Sequence, residues 1–266
     1  MFENKIIVIT GGTDGIGKAL VSEFLNRGAT VSTCSRTADN LLSLKNEFAG
    51  KSIFTMVADV SKEEDCKNFI EKTIEKFKRI DVLINNAGIS MRALFKDVDL
   101  KTLKQVMDIN FWGTVYCTKF ALDSLLKNKG IIVGMSSVAG YRGLPGRSGY
   151  SASKFAVNGW MEALRTELLD SGVHVMWVCP GFTKSNIRNA ALDKNAKSQG
   201  ESPLKEEKLM SAEKCAEYII EAIEKKKRTL ILTFTGKETV FMNKFFPSLT
   251  DKLTRNFFFK NGKLIK

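Results

Sequence analysis

Apolar positions along the chain gather in seven short runs: 5–10 (KIIVIT), 29–34 (ATVSTC), 52–58 (SIFTMVA), 81–85 (DVLIN), 130–136 (GIIVGMS), 173–179 (VHVMWVC) and 229–234 (TLILTF). Most are continuous rather than alternating, the pattern of strands buried on both faces. Between them polarity varies with a helical period, which predicts helices near 15–27, 38–48, 62–78, 99–127, 150–171 and 211–226. Strand and helix alternate. Right-handed crossovers then give an α/β protein, a doubly wound, seven-stranded parallel sheet flanked by helices. No repeat or linker divides the chain, so a single domain over 1–236 is expected.

Two segments break the rhythm. Residues 184–210 are polar and lysine-rich, and a mobile substrate loop is predicted there. Residues 237–266 form an aromatic-basic extension that includes FFFK at 257–260.

Composition narrows the function. At 266 residues and 44% hydrophobic, the chain can bury a large core. Its start, MFENKIIVIT, enters the first strand directly, and no run of 18 apolar residues follows, so neither a signal peptide nor a membrane span is predicted. Five scattered cysteines (34, 66, 117, 179, 215) form no C-x-x-C, and there is one histidine. This points to reduced thiols, a cytoplasmic location and no metal. The net charge is +12, and residues 225–266 alone hold eleven Lys/Arg against two acids, a balance of +9. No nucleic-acid motif accompanies the charge; a basic tail points instead to anionic ligands or peripheral contact with an anionic membrane.

The first strand runs into TGGTDGIG, residues 10–17. Gly11, Gly15 and Gly17 follow a strand and open a helix, the context of a dinucleotide-binding turn, though the spacing is G-x-x-x-G-x-G. An acid that grips the adenosine ribose is expected at the end of the second strand. The sequence there is Ser35-Arg36-Thr37. Arg36 would pair with a 2′-phosphate, which favours NADP(H) over NAD(H). Asp14, inside the turn, weighs mildly against that phosphate.

In GYSASKFAVNG (149–159), Tyr150 and Lys154 stand one helical turn apart, on one face. An ammonium beside a phenol is expected to lower the phenol pKa, as acid–base work near neutral pH requires.

With TGGTDGIG at 10–17, Asp59-Val60, NNAG at 85–88, Asn110 in DINFWG, Ser136-Ser137, YSASK at 150–154 and Pro180-Gly181 in this order, the sequence from 5 to about 235 resembles the short-chain dehydrogenases/reductases of the classical type. The resemblance implies a Rossmann fold and a hydride-transfer enzyme. Tyr150 would give a proton to a carbonyl oxygen or take one from an alcohol. Lys154 would lower its pKa and bind the nicotinamide ribose. Ser137 would hydrogen-bond the substrate oxygen, with Ser136 the weaker candidate, and Asn110 would hold a water that completes a proton relay. The cofactor would lie against Gly11, Thr13, Asp14, Gly15, Ile16 and Gly17, with Ser35, Arg36 and Thr37 at the adenosine ribose. Asp59 and Val60 would contact adenine. The NNAG segment (Asn85, Asn86, Ala87 and Gly88) would support the central sheet and approach the adenine-side ribose. Pro180, Gly181, Thr183 and Ser185 would line the nicotinamide. His174 and Cys179 are read as structural. Trp112 and Trp160 lie on helices that pair between subunits in the family, so a homodimer or homotetramer is expected.

PGFTKSNIRNAAL, from 180, is similar to the branch that reduces steroids, retinoids and lipids, including relatives of the 11-beta-hydroxysteroid dehydrogenases. This implies an apolar carbonyl or alcohol substrate. The tail phenylalanines 241, 245, 246 and 257–259 fit a substrate entrance, a membrane contact, or a helix packed on the domain itself. The alternative is a non-catalytic NADP-binding sensor or membrane-associated scaffold. An extended-type nucleotide-sugar enzyme fits neither the glycine spacing nor the chain length.

Overall fold

The computed structural model describes residues 2–202, 204, 207 and 209–265. The seven apolar runs form one sheet: β1 (Ile6–Thr10), β2 (Thr30–Ser35), β3 (Ile53–Val57), β4 (Val82–Asn85), β5 (Ile131–Met135), β6 (His174–Cys179) and β7 (Thr229–Ile231). Their spatial order is β3-β2-β1-β4-β5-β6-β7, and every neighbouring pair is parallel. Successive strand residues point to opposite faces. Ile7, Ile9, Val82, Ile84, Val133 and Val178 pack under α1 (Gly15–Asn26), α2 (Ala38–Glu47) and α7 (Ala212–Glu224). Val8, Leu83, Ile132, Val175 and Trp177 pack under α3 (Glu63–Phe77), α5 (Gly113–Asn128) and α6 (Ser148–Glu167). Burial on both sides explains why the runs read as continuous. The strand order reverses between β1 and β4, and ligands of open α/β sheets bind at such a switch point.

The helix expected over 99–127 is built in three pieces. Helix α4 (Leu100–Met107) passes through a π-turn at Asp108–Trp112 into α5. Such turns often accompany functional sites, and this one carries Asn110. The segment 184–210 is less free than a mobile loop would be, although four of its positions (203, 205, 206 and 208) lie outside the described residues. Lys184 N donates to Met210 O at 2.8 Å, Leu192 N to Ser90 O at 2.9 Å and Arg92 N to Leu192 O at 2.8 Å. Leu192 is buried with Met91, Ala93 and Val106.

The extension is two helices, α8 (Phe234–Phe245) and α9 (Pro247–Phe258), followed by a small hairpin, β8 (Phe259–Lys260) and β9 (Lys263–Leu264). The boundary expected at 236/237 therefore falls inside α8. Both helices are fastened to the domain. Arg142 donates to Asn243 Oδ1 at 2.9 Å and to Asp251 Oδ1 at 2.6 Å, and Asn243 Nδ2 donates to Tyr141 O at 2.9 Å.

Candidate active site

The glycine turn is shaped by close backbone packing. Gly11 and Gly15 have φ of +68° and +51°, in the left-handed region that favours glycine. A Cβ on Gly17 would stand 2.2 Å from Gly11 O and 2.4 Å from Asn86 Nδ2, so only glycine fits. Asn86 clasps the turn from β4: its amide donates to Thr10 O and Gly11 O, both at 3.0 Å. Thr10 Oγ1 accepts from Asn86 N and Ala87 N, also at 3.0 Å. Asp14 caps α1, accepting from Gly15 N at 2.7 Å.

From this turn a cavity of about 710 Å³ runs along the carboxyl edge of the sheet. Gly11, Thr13, Asp14, Gly15, Ile16 and Gly17 line it, with Ser35, Arg36 and Thr37 at the end of β2. Asp59, Val60, Asn86, Ala87 and Gly88 form its middle; Ser137, Tyr150, Lys154, Pro180, Gly181, Thr183 and Ser185 line the far part. Asn110 and Asn85 stand behind this wall. Arg36 is exposed at the cavity rim. The Asp59 carboxylate accepts from Ser61 N and Oγ at 3.0 and 2.8 Å.

The catalytic candidates are held by buried bonds. Ser136 Oγ donates to Lys154 O at 3.2 Å, so it is committed to α6. Ser137 Oγ accepts from Ala139 N at 3.1 Å and lies against the Tyr150 phenol. Lys154 is 4% exposed, and its Nζ donates to Met135 O at 2.7 Å. That ammonium sits 5.7 Å from the centre of the Tyr150 ring. Asn110 is buried: Nδ2 donates to Ile89 O and Ser153 Oγ, both at 2.9 Å, and Oδ1 accepts from Ile89 N at 2.8 Å. The Asn110 main-chain carbonyl accepts from Thr114 Oγ1 at 2.9 Å and keeps a second lone pair that could take a water.

The electrostatics correct one expectation. Burial pushes the Tyr150 phenol above its ordinary pKa, against the pull of the Ser137 hydroxyl and of Arg147 and Arg188. Lys154 is not among the groups that pull the phenol down. Its own pKa is brought down to about 8 by burial, which disfavours the charged ammonium. The residues sequence reasoning missed are these arginines. Arg147 precedes Tyr150 by three positions, in GRSGYSASK, which puts it on the same helical face and made it findable. Arg188 left no comparable signal. His174 Nε2 bonds the Lys227 carbonyl at 3.0 Å and burial lowers its pKa, while burial pushes the Cys179 thiol up to about 12, so that thiol stays protonated at neutral pH. All five cysteines are free and buried.

The family model for short chain dehydrogenases matches residues 5–196. The chain belongs to the short-chain dehydrogenase family. It is an oxidoreductase of the kind that acts on CH–OH and C=O groups. Among curated relatives, the dehydrogenase is 38% identical over 229 residues to the 11-beta-hydroxysteroid dehydrogenase-like 6 of Arabidopsis thaliana, covering 82% of this chain and 67% of that protein. An alcohol dehydrogenase from the archaeon Thermococcus sibiricus, solved with 5-hydroxy-NADP, superposes with a TM-score of 0.75 at 25% identity, covering 86% of this chain and 94% of that one. A short chain dehydrogenase/reductase from Burkholderia phymatum, solved with NAD, shares the fold with a TM-score of 0.81 at 22% identity, covering 93% and 95%. The dehydrogenase thus resembles the hydroxysteroid branch, and its structural neighbours bind nicotinamide dinucleotides of both kinds.

Proposed function

We propose that the dehydrogenase is an NADP(H)-dependent enzyme that interconverts a largely apolar ketone and its secondary alcohol, with Tyr150 as acid–base. The observation that carries this reading is the convergence of three groups on one cavity wall. Tyr150, Ser137 and Lys154 all line it, with the Lys154 ammonium 5.7 Å from the centre of the Tyr150 ring, downstream of a glycine turn in the same cavity.

The residues present fit a dinucleotide. Free backbone at a helix start, a turn without side chains and an exposed arginine at the end of β2 suit phosphates and a 2′-phosphorylated ribose. The nicotinamide, when bound, supplies or accepts the hydride. What the chain does is position and proton transfer. Ser137 and Tyr150 would both hydrogen-bond the substrate oxygen, orienting it and stabilising the charge that develops there. Tyr150 would protonate that oxygen during reduction. Its raised pKa keeps the phenol protonated at neutral pH, the state needed to give a proton. In oxidation it must lose that proton; Ser137, Arg147 and Arg188 favour the phenolate. Lys154, partly neutral near pH 8, would lend or take the proton that Tyr150 exchanges.

The substrate body would lie among Val138, Leu144, Met242, Leu253 and Phe258, where α8 and α9 close the cavity. The outer face of these helices exposes Phe241, Phe245, Phe246 and Leu249 among basic residues, which supports a peripheral membrane contact. Exposed Trp112 and Phe155 support pairing of two copies through the long helices. The test is NADPH oxidation with a panel of ketones. Turnover that falls about 100- to 10,000-fold in Tyr150→Phe, with cofactor binding retained, supports the reading. A protein that binds NADPH and reduces nothing is a scaffold instead.

A further inference from the structure

Arg147 immediately precedes α6 and lines the cavity together with Tyr150. It is only 6% exposed. Its guanidinium makes one side-chain hydrogen bond, from Nη1 to Ser90 Oγ at 3.1 Å. Its Nε is buried and bonds to nothing among the described residues. No carboxylate among the described residues pairs with it. The charged or ionisable groups that act on it are Tyr150 and two further cations, Arg188 and Arg92. Of these, Arg92 reaches the exposed Glu201 at 3.3 Å, and Arg188 donates to Thr183 O at 2.8 Å and to Ser202 Oγ at 3.3 Å. An enclosed cation without a counter-charge is unfavourable, and burial pulls its pKa down. A negatively charged ligand would supply the missing counter-charge.

The cofactor does not reach this position with its phosphates on the reading above. The glycine turn and Arg36 stand at the ends of β1 and β2, whereas Ser137 and Tyr150 stand beyond β5. In the order β2-β1-β4-β5, three strand spacings, about 14 Å, separate Arg36 from the substrate end, and two, about 10 Å, separate the glycine turn from it. Arg147, tied to Ser90 after β4 and facing Tyr150, belongs to the substrate end.

We propose that the natural substrate is an oxo acid or the matching hydroxy acid. Its carboxylate is held by Arg147, a few bonds from the reacting carbon, and its apolar body extends toward α8 and α9. This rests on the reading of Tyr150 as acid–base and specifies the substrate class of the same site. A guanidinium suits a planar carboxylate better than it suits an ester or an alcohol. The carboxylate is a spectator: hydride from the reduced nicotinamide goes to the carbonyl carbon, a proton goes to its oxygen, and the acid group leaves unchanged.

The experiment compares 2-, 4- and 6-oxodecanoate with their methyl esters as substrates for NADPH oxidation. For at least one chain position, kcat/KM for the acid should exceed that for the ester by about tenfold or more. Arg147→Met should bring that ratio close to one, and Arg147→Lys, which keeps a charge, should retain part of it. Decanoate and methyl decanoate serve as a binding probe that needs no turnover. With NADPH present, decanoate should raise the melting temperature of the natural protein more than its ester does, and the difference should vanish in Arg147→Met. Failure to reduce any ketone overturns the oxidoreductase reading of the site but leaves the binding comparison in force. Equal use of acids and esters, or a decanoate effect that survives Arg147→Met, overturns the carboxylate assignment while leaving Tyr150 in place.

Discussion

Replacing Lys154 with methionine should make the protein more stable at pH 7 and less stable at pH 10. The ammonium is 4% exposed, and its pKa is brought down from 10.5 to about 8 by burial. A shift of that size corresponds to about 3 kcal/mol at roughly 1.4 kcal/mol per pH unit. Below pH 8 the folded protein must keep a charged amine out of water, and carries nearly all of that penalty. Between pH 8 and 10.5 the unfolded chain binds more protons at this site than the folded one, so this group's contribution to stability rises with pH. At pH 10 most of the penalty is gone. Methionine removes it at every pH, but leaves the Met135 carbonyl without the 2.7 Å hydrogen bond, a loss of about 1–3 kcal/mol. The difference in unfolding free energy between Lys154→Met and the natural protein should therefore change by about 2–3 kcal/mol between pH 7 and pH 10, in favour of the natural protein at the higher pH. Urea titrations of both proteins at the two pH values measure it, and other titrating lysines cancel in the difference. Parallel pH dependences of the two proteins would show that the ammonium is solvated in solution, and the reasoning about Lys154 would fail. The variant should also lose most of its turnover, since stability and proton exchange make opposite demands on this side chain.

Two further outcomes bear on the ends of the molecule. Arg36→Asp should lower the preference for NADPH over NADH by about 10- to 100-fold, read from the ratio of kcat/KM values, because it replaces a charge-assisted contact with repulsion; an unchanged ratio removes Arg36 from the 2′-phosphate site. Phe241 and Phe245 lie in exposed contact on α8, ring centres 4.8 Å apart. Replacing both by serine should cut co-sedimentation with phosphatidylserine-containing vesicles several-fold without altering the melting temperature, whereas equal sedimentation of both proteins rules out this face as the membrane contact.

Much of this fold was written in local pattern. Each of the seven apolar runs became a strand with ends within a residue or two of those expected, except the last, where Leu232 to Phe234 leave the sheet and open α8. A period of two or 3.6 in polarity survives in sequence because it reflects which side of a single element is buried. The glycine turn was equally legible: positive φ and contacts near 2.2 Å restrict those positions to one residue type. The same constraint marks Asn86, which must reach two carbonyls of that turn.

Other features depend on residues far apart in the chain. The π-turn that splits the 99–127 helix sits where Gly113 packs against Val60 and Asn110 against Ile89, contacts between residues far apart in the chain that polarity does not encode. The loop at 184–210 looked free because its residues are polar, yet Leu192 is zipped to the segment after β4. The aromatic tail became two docked helices through Arg142, a hundred positions away. The sense of the Tyr150 shift reversed for the same reason. Sequence spacing places an ammonium near the phenol, but only the folded chain determines how much water both have lost, and desolvation outweighs a charge that is turned toward a carbonyl. Sequence determined which elements form and which chemistry-bearing side chains they carry, since those depend on neighbours along the backbone. Tertiary structure decided burial, and with it the protonation of Tyr150 and Lys154 and the enclosure of the Arg147 guanidinium with no carboxylate partner among the described residues, since the dielectric around a group is set by everything that surrounds it.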